Sequence, residues 1–143
     1  MNREIIEQAI NLAQNNIIIT DVEGNILWVN DSTLRNTGYT KKEMIGKNPR
    51  MFKSEKNNQK IFDELWDTIK NQKKQWKGKL VNLKKNKEEY VEMLSVTPII
   101  KNKQLIGFIG VQCDITKEEE YKNKFKNKIE EVQKELKKFK NKQ

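Results

Sequence analysis

The chain has 143 residues, a formal charge of +9 at pH 7, one cysteine and no histidine. That length predicts a single domain with a modest core. The absence of histidine excludes His-ligated haem, His-type zinc sites, Ser-His and Cys-His nucleophile pairs and a phospho-accepting histidine. The lone Cys113 excludes an internal disulfide. No apolar run approaches the ~20 residues that a membrane span needs, and the N-terminus lacks a signal peptide's apolar centre. A cytoplasmic chain without membrane contact is therefore expected. Of the 29 Lys and Arg residues only Arg3, Arg35 and Arg50 are arginines. Base readout and bidentate phosphate binding favour Arg, so the charge reads as a solvated Lys-rich surface with no nucleic-acid partner.

Residues 2–14 set Ile5, Ile6, Ala9, Ile10 and Ala13 at helical spacing, an apolar stripe that predicts a docked helix. Ile17 to Thr20 is a β-branched strand. Asp21-Val22-Glu23-Gly24-Asn25 supplies turn chemistry, and Ile26 to Asn30 reads as the hairpin partner. A short helix follows around Ser32 to Thr37 and ends at Gly38, and Thr40-Lys41-Lys42-Glu43 resembles a capping box opening another. Residues 46–56 read as turn and loop, with Met51 and Phe52 facing the core. From Gln59 to Asn71, the side chains of Ile61, Phe62, Leu65, Trp66 and Ile69 share one face of a longer helix. Three strands complete the pattern, Trp76 to Lys84, Glu89 to Ile99 and Gln104 to Thr116, the last two joined by a turn at Lys101-Asn102-Lys103. Two strands, small helices and three strands predict an α+β fold, with helices over one face of the sheet and the last three strands an antiparallel meander.

Within the last strand, Gln112 is a polar side chain where its neighbours predict an apolar core, which raises the question of a bound ligand. Alternation sends Cys113 to the opposite sheet surface, under the N-terminal helix or a partner subunit. Asp114 stands where it caps the outgoing helix. Beyond Thr116 the composition shifts to Lys, Glu, Asn and Gln, and Phe125, Ile129, Val132, Leu136 and Phe139 follow a four-three-four-three spacing. That is a heptad seam, too short to pair strongly alone, so it predicts dimerisation with help from the domain. Packing back on its own sheet is the alternative. The domain organisation expected is a cap helix over 1–15, a central α+β domain over 16–116 and a C-terminal helix over 117–143. No nucleophile–base pair or metal cluster is present in the pattern, so an enzyme is not expected.

Ile19-Thr20-Asp21 with Gly24, Val29-Asn30, Gly38-Tyr39, Glu43, Ile45-Gly46-Lys47-Asn48, Trp76-x-Gly78, Pro98 and the Gly110 to Thr116 ending together resemble a PAS domain over about residues 10–116. The resemblance implies a five-stranded antiparallel sheet whose concave face and small helices enclose a ligand pocket. It makes Asp114-Ile115-Thr116 the junction into a signalling helix.

Two flavin-binding groups of that family are similar to this chain. The photosensory LOV group is similar at Gly46-x-Asn48-x-Arg50 and at Phe108 to Gln112. Carried over residue by residue, Asn82, Glu92 and Gln112 would read the flavin ring edge, with Asn48 and Arg50 in the helix motif and Arg50 on the phosphate. The chemistry is consistent: a carboxamide both donates and accepts, and Arg binds phosphate bidentately. Three residues depart from the pattern. Pro49 stands where the group has its photoreactive Cys, Trp66 where a second phosphate-binding Arg is frequent, and Glu92 in place of an Asn. A buried Glu92 either has a raised pKa or stays outside the pocket. The redox-sensing PAS group of aerotaxis and nitrogen-fixation sensors is similar at Lys74-Gln75-Trp76-Lys77-Gly78-x-x-Val81-Asn82 and Lys84-Lys85. It implies FAD, no reactive Cys, and Trp76 and Asn82 lining the pocket.

These resemblances imply a flavin-binding sensory domain for redox or light, holding FMN or alternatively FAD, without cysteinyl-flavin chemistry. A homodimer is expected through the sheet surface, the N-terminal helix and the tail. Gln112 would reorient its amide and pass the change along the last strand to the heptad helix and a downstream partner. A ligand-free dimerisation module, or one binding another small metabolite, is the alternative.

Overall fold

The computed structural model describes residues 2–142. A helix, α1 (Arg3–Leu12), leads into the hairpin of β1 (Asn16–Thr20) and β2 (Ile26–Val29). Two short helices follow, α2 (Asp31–Thr37) and α3 (Lys41–Met44), then a 3₁₀ turn over Pro49–Phe52 and α4 (Gln59–Trp66). Strands β3 (Trp76–Leu83), β4 (Glu89–Lys101) and β5 (Gln104–Asp114) complete one sheet, and α5 (Thr116–Asn141) leaves it. The strand order is β2-β1-β5-β4-β3, antiparallel throughout, so the first and last strands meet at the centre. The α+β architecture and the meander of β3 to β5 are as expected from the sequence.

Local chemistry explains these boundaries. Asn2, Asn30, Thr40 and Asn58 cap α1 to α4 through their side chains, and Thr40 and Glu43 close a reciprocal capping box. Gly38 ends α2 in the left-handed conformation at φ +81°. In the β1–β2 turn, Asp21 accepts hydrogen bonds from the backbone N–H of Glu23 and Asn25, each at 2.9 Å. These donors, that of Asn25 foremost, hold its carboxyl below the usual carboxylate range. Asn102 and Lys103 both take positive φ (51° and 64°). A two-residue turn of that kind matches the strand twist and fixes how β4 pairs with β5.

The core lies on one sheet face in two parts. Ile18, Ile26, Val29, Met44 and Phe52 pack beneath α2 and α3. Leu65, Ile69, Trp76, Leu80, Leu94, Val96 and Phe108 pack beneath α4. Asn30 joins the first part to the N-terminus. Its Oδ1 accepts from Ile17 N (2.9 Å), Thr33 N (3.2 Å) and Thr33 Oγ1 (2.7 Å), and its Nδ2 donates to Ile10 O and Asn15 O (both 3.0 Å).

The structure departs from the sequence reading at the end of α4 and at Cys113, and for α5 it sets aside the alternative of packing on the sheet. The helix expected over 59–71 is α-helical only to Trp66 and widens into a π turn over Asp67–Asn71. Cys113 is exposed and lies under no helix, because α1 sits beside α2 rather than on the outer sheet surface. The seam of α5 does not fold back on the sheet: Phe125, Ile129, Val132, Leu136 and Phe139 are all exposed. Among the described residues no helix is long and apolar enough to cross a membrane.

Asn30→Ala removes a helix cap and strands the backbone groups of Ile17, Ile10 and Asn15. The expected loss is roughly 2–4 kcal/mol in urea unfolding. A loss below about 0.5 kcal/mol, the size of an ordinary surface change, would contradict this role.

Candidate functional site

Between the inner sheet face and α4 lies a cavity of about 770 Å³, counting its open mouth. Its wall is mostly apolar, with Leu80, Leu94, Val96 and Phe108 from the sheet and Leu65 and Ile69 from the helix segment. The strand phase aims three polar side chains at it as well: Asn82, Glu92 and Gln112 are 5%, 1% and 5% exposed. With Asn16 of β1, also buried, they form a polar row across four strands.

The row is held by specific bonds. Asn82 Nδ2 donates to Glu92 Oε1 at 2.7 Å. Asn16 Nδ2 donates to Gln112 Oε1 at 3.3 Å, and Asn36 Nδ2 of α2 donates to Asn16 Oδ1 at 2.7 Å. Glu92 Oε2 is buried without a partner. Burial pushes the Glu92 carboxyl up to about 8; the Asn82 hydrogen bond works against that rise and the negative charge of Asp114 adds to it. The direction of that shift favours the neutral acid, which carries an O–H. Burial likewise pushes the Tyr90 phenol upward.

At the mouth, Asn48 accepts from Arg50 N at 3.0 Å and so caps the turn that carries Pro49 and Arg50 into the cavity lining. Arg50 is exposed, and among the described residues it makes no ion pair. The next segment docks on the edge of β3. Ser54 N donates to Val81 O at 3.2 Å, and the Asn57 side chain bonds both Val81 N and Val81 O, at 2.8 and 2.6 Å. This pairing covers the open edge of β3 and places Lys53 beside Asn82. Lys53 Nζ lies 4.6 Å above the Phe62 ring. Lys53 and Lys70 join Arg50 around the recess outside the mouth.

A family model described as PAS domain matches residues 14–117. The chain belongs to the PAS family. It is 30% identical over 101 residues to a nitrogen fixation regulatory protein of Klebsiella oxytoca, covering 70% of this chain and 20% of that protein. It is 30% identical over 134 residues to a blue-light photoreceptor of Listeria innocua, covering 92% of this chain and 53% of that one. The fold matches the structure of an RNA-binding light-oxygen-voltage receptor with a TM-score of 0.80 at 20% identity, over 89% of this chain and 37% of the other. This PAS domain thus spans a fifth to about half of the curated relatives named here, and its fold is similar to that of a light-oxygen-voltage receptor.

The PAS cavity brings together five of the six residues singled out in the sequence: Asn48, Arg50, Asn82, Glu92 and Gln112 all line it. Trp76 does not. Its ring lies across Gly78, where an added Cβ would come within 2.5 Å of Cη2, and it belongs to the packed core beside the cavity. The sequence reading missed Asn16, Asn36, Asn57, Lys53 and Lys70. Asn16 was within reach, since extending the β1 alternation by one residue puts it in phase with the buried Ile18 and Thr20.

The raised acid of Glu92 has a signed consequence for stability. A carboxyl whose folded pKa lies above its ordinary 4.5 contributes fully at pH below that value, and the contribution is lost as pH rises through about 8. Glu92→Gln keeps an acceptor for Asn82 and cannot ionise. The urea midpoint of the wild type should therefore fall between pH 5.5 and 9, and that of the variant should not follow. Parallel pH profiles for the two proteins would contradict a neutral buried Glu92.

Proposed function

We propose that this PAS domain binds a flavin nucleotide and reports redox state or light to α5 without forming a cysteinyl adduct. The observation that carries the reading is the row of Asn82, Glu92 and Gln112 in an otherwise apolar cavity wall. When bound, a flavin supplies reversible electron and proton uptake and visible absorption, at a ring edge that presents both acceptors and a donor. Asn82 and Gln112 suit such an edge because each amide donates and accepts, and neutral Glu92 adds a donor through the oxygen that has no partner. Arg50 would hold the phosphate, with Lys53 and Lys70 supplying the positive charge that Trp66 does not. The absence of adduct chemistry is supported by Pro49 in the cavity lining and by the lone Cys113 on the other sheet surface.

Gln112 is the residue through which the cavity would reach the rest of the domain. Its carbonyl oxygen is already engaged by Asn16, so turning the amide over would set an N–H against the Asn16 N–H and disturb the bond onward to Asn36. Two positions later β5 ends at Asp114, before α5. A homodimer is part of the reading, supported by the exposed seam of α5 and by Ile5, Ile6 and Leu12 left exposed on α1. The domain acts as a sensor rather than as an enzyme, and its output passes to a separate effector.

The deciding experiment is the visible spectrum of the purified chain and of the supernatant after heat denaturation. Structured flavin bands are expected, and chromatography of the released cofactor separates FMN from FAD. A featureless spectrum unchanged by added FMN and FAD would overturn the flavin reading and leave a dimerisation module. In the loaded protein, Gln112→Leu should retain the flavin while losing any redox- or light-dependent change in α5. Ile129→Glu combined with Leu136→Glu should convert a dimer to a monomer by analytical ultracentrifugation. An unchanged sedimentation coefficient would remove the seam from the interface.

A further inference from the structure

Glu92 has a second relationship that the cavity does not use. Across the β4–β5 pairing it stands directly opposite Asp114, the last residue of β5, and side chains so paired share a sheet face. The start of α5 is fastened to the residue next to Glu92. Ile115 N donates to Val91 O at 2.8 Å, and Val91 N donates to Thr116 Oγ1 at 3.0 Å. Asp114 Oδ1 accepts from Thr116 N at 2.9 Å and from the Thr116 hydroxyl. No side chain caps α5 at Ile115, so Asp114 holds the helix start from one position earlier. No residue of α5 is buried, which leaves these bonds and the ion pair of Lys79 with Glu119 (3.0 Å) as the fastening of the helix to the sheet.

We propose that Glu92 is a proton-operated link between the cavity and α5: loss of its proton sets a second negative charge opposite Asp114 and loosens the hold of Asp114 on Thr116. Only the carboxyl O–H breaks, and the proton passes to solvent water. Like charges directly opposite in an antiparallel pair repel, and the cheapest relief is for the chain end at Asp114 to move, because Glu92 is paired with both Leu80 and Asp114 whereas Asp114 lies beyond the last β1–β5 pair, Asn16↔Gln112. The titratable or charged groups facing Glu92 are Asp114 from β5, Tyr90 from its own strand, and Arg50 and Lys53 from the segment lining the cavity. Among the described residues no cation forms an ion pair with Glu92. The chain has no histidine to supply a competing response near neutrality. The link requires no occupant in the cavity, so its failure leaves the flavin reading standing and the reverse is equally true.

Carbon-detected NMR of the full chain between pH 6 and 9.5 tests this, with Cys113→Ser in every protein compared so that no thiol stands beside Asp114. The Glu92 carboxyl carbon should titrate with a midpoint near 8. The backbone carbonyl shifts of Asp114, Ile115 and Thr116 should follow the same midpoint. Glu92→Gln should flatten that response. Asp114→Asn, which keeps the acceptor for Thr116 and removes the charge, should leave Glu92 titrating at a lower midpoint and abolish the response of the junction. A Glu92 midpoint below pH 6 would overturn the proposal, and so would a junction response that persists in Asp114→Asn. If Glu92→Gln does not fold, the carboxyl titration and the Asp114→Asn comparison decide between these outcomes by themselves.

Discussion

The pairing of β4 with β5 is the constraint on which the rest of this domain depends. Its register runs over ten residue pairs from Lys101↔Gln104 to Glu92↔Asp114. One side of that register makes the cavity wall, with Leu94 opposite Gln112 and Val96 opposite Gly110. Its far end makes the junction with α5. A slip of β5 by one residue would send Gln112 to the outer surface and bring Cys113 inward, destroying cavity and junction together. The two-residue turn at Asn102 and Lys103 sets this register at the near end. A shift between Ile99 and Ile100 absorbs the extra residue Ile106 before the cavity begins.

The polar row is a local contradiction of an otherwise consistent sheet. An apolar core would be served by Leu or Val at 82, 92, 112 and 16, and each of those positions instead carries an amide or an acid. Every buried polar atom there needs a partner, and the structure provides most of them within the row. Glu92 Oε2 is the exception. Places where a sequence breaks its own packing rule are where function is to be sought, because burial without a partner carries a cost that packing alone does not offset.

Much of this was legible in the sequence, because it depended on local periodicity. The hairpin at Asp21 to Asn25, the capping box at Thr40 and Glu43, and the pattern that put Gln112 on an apolar face each lie within a few residues. What escaped depended on contacts made only by the folded chain. Asn16 and Gln112 are 96 positions apart, and Asn57 reaches β3 across 24. No spacing rule links them. Trp76 shows the complementary limit. Its strand phase was correct, but phase assigns a face and not a place along it, and the missing side chain of Gly78 draws the indole sideways into the core. The end of α4 was misread for a similar reason, since Ile69 stays in the helical stripe although the backbone has widened by then into a π turn.

Helix α5 carries the consequence of these placements. It has 26 residues, none of them buried, and an apolar seam with nothing against it in the single chain. A helix of that kind gains little from tertiary packing, so its stability comes from capping, from the ion pairs on its surface and from whatever covers the seam. Its first turn is held by hydrogen bonds to Val91 and Asp114 rather than by a packed interface. Elements fastened in this way open at small free-energy cost compared with the strands of the core. The sheet therefore presents its least stable attachment at the end of the strand that lines the cavity. A change of a single hydrogen bond or charge there is comparable in size to the bonds that hold the helix, whereas the same change in the middle of β5 would be absorbed by two paired neighbours.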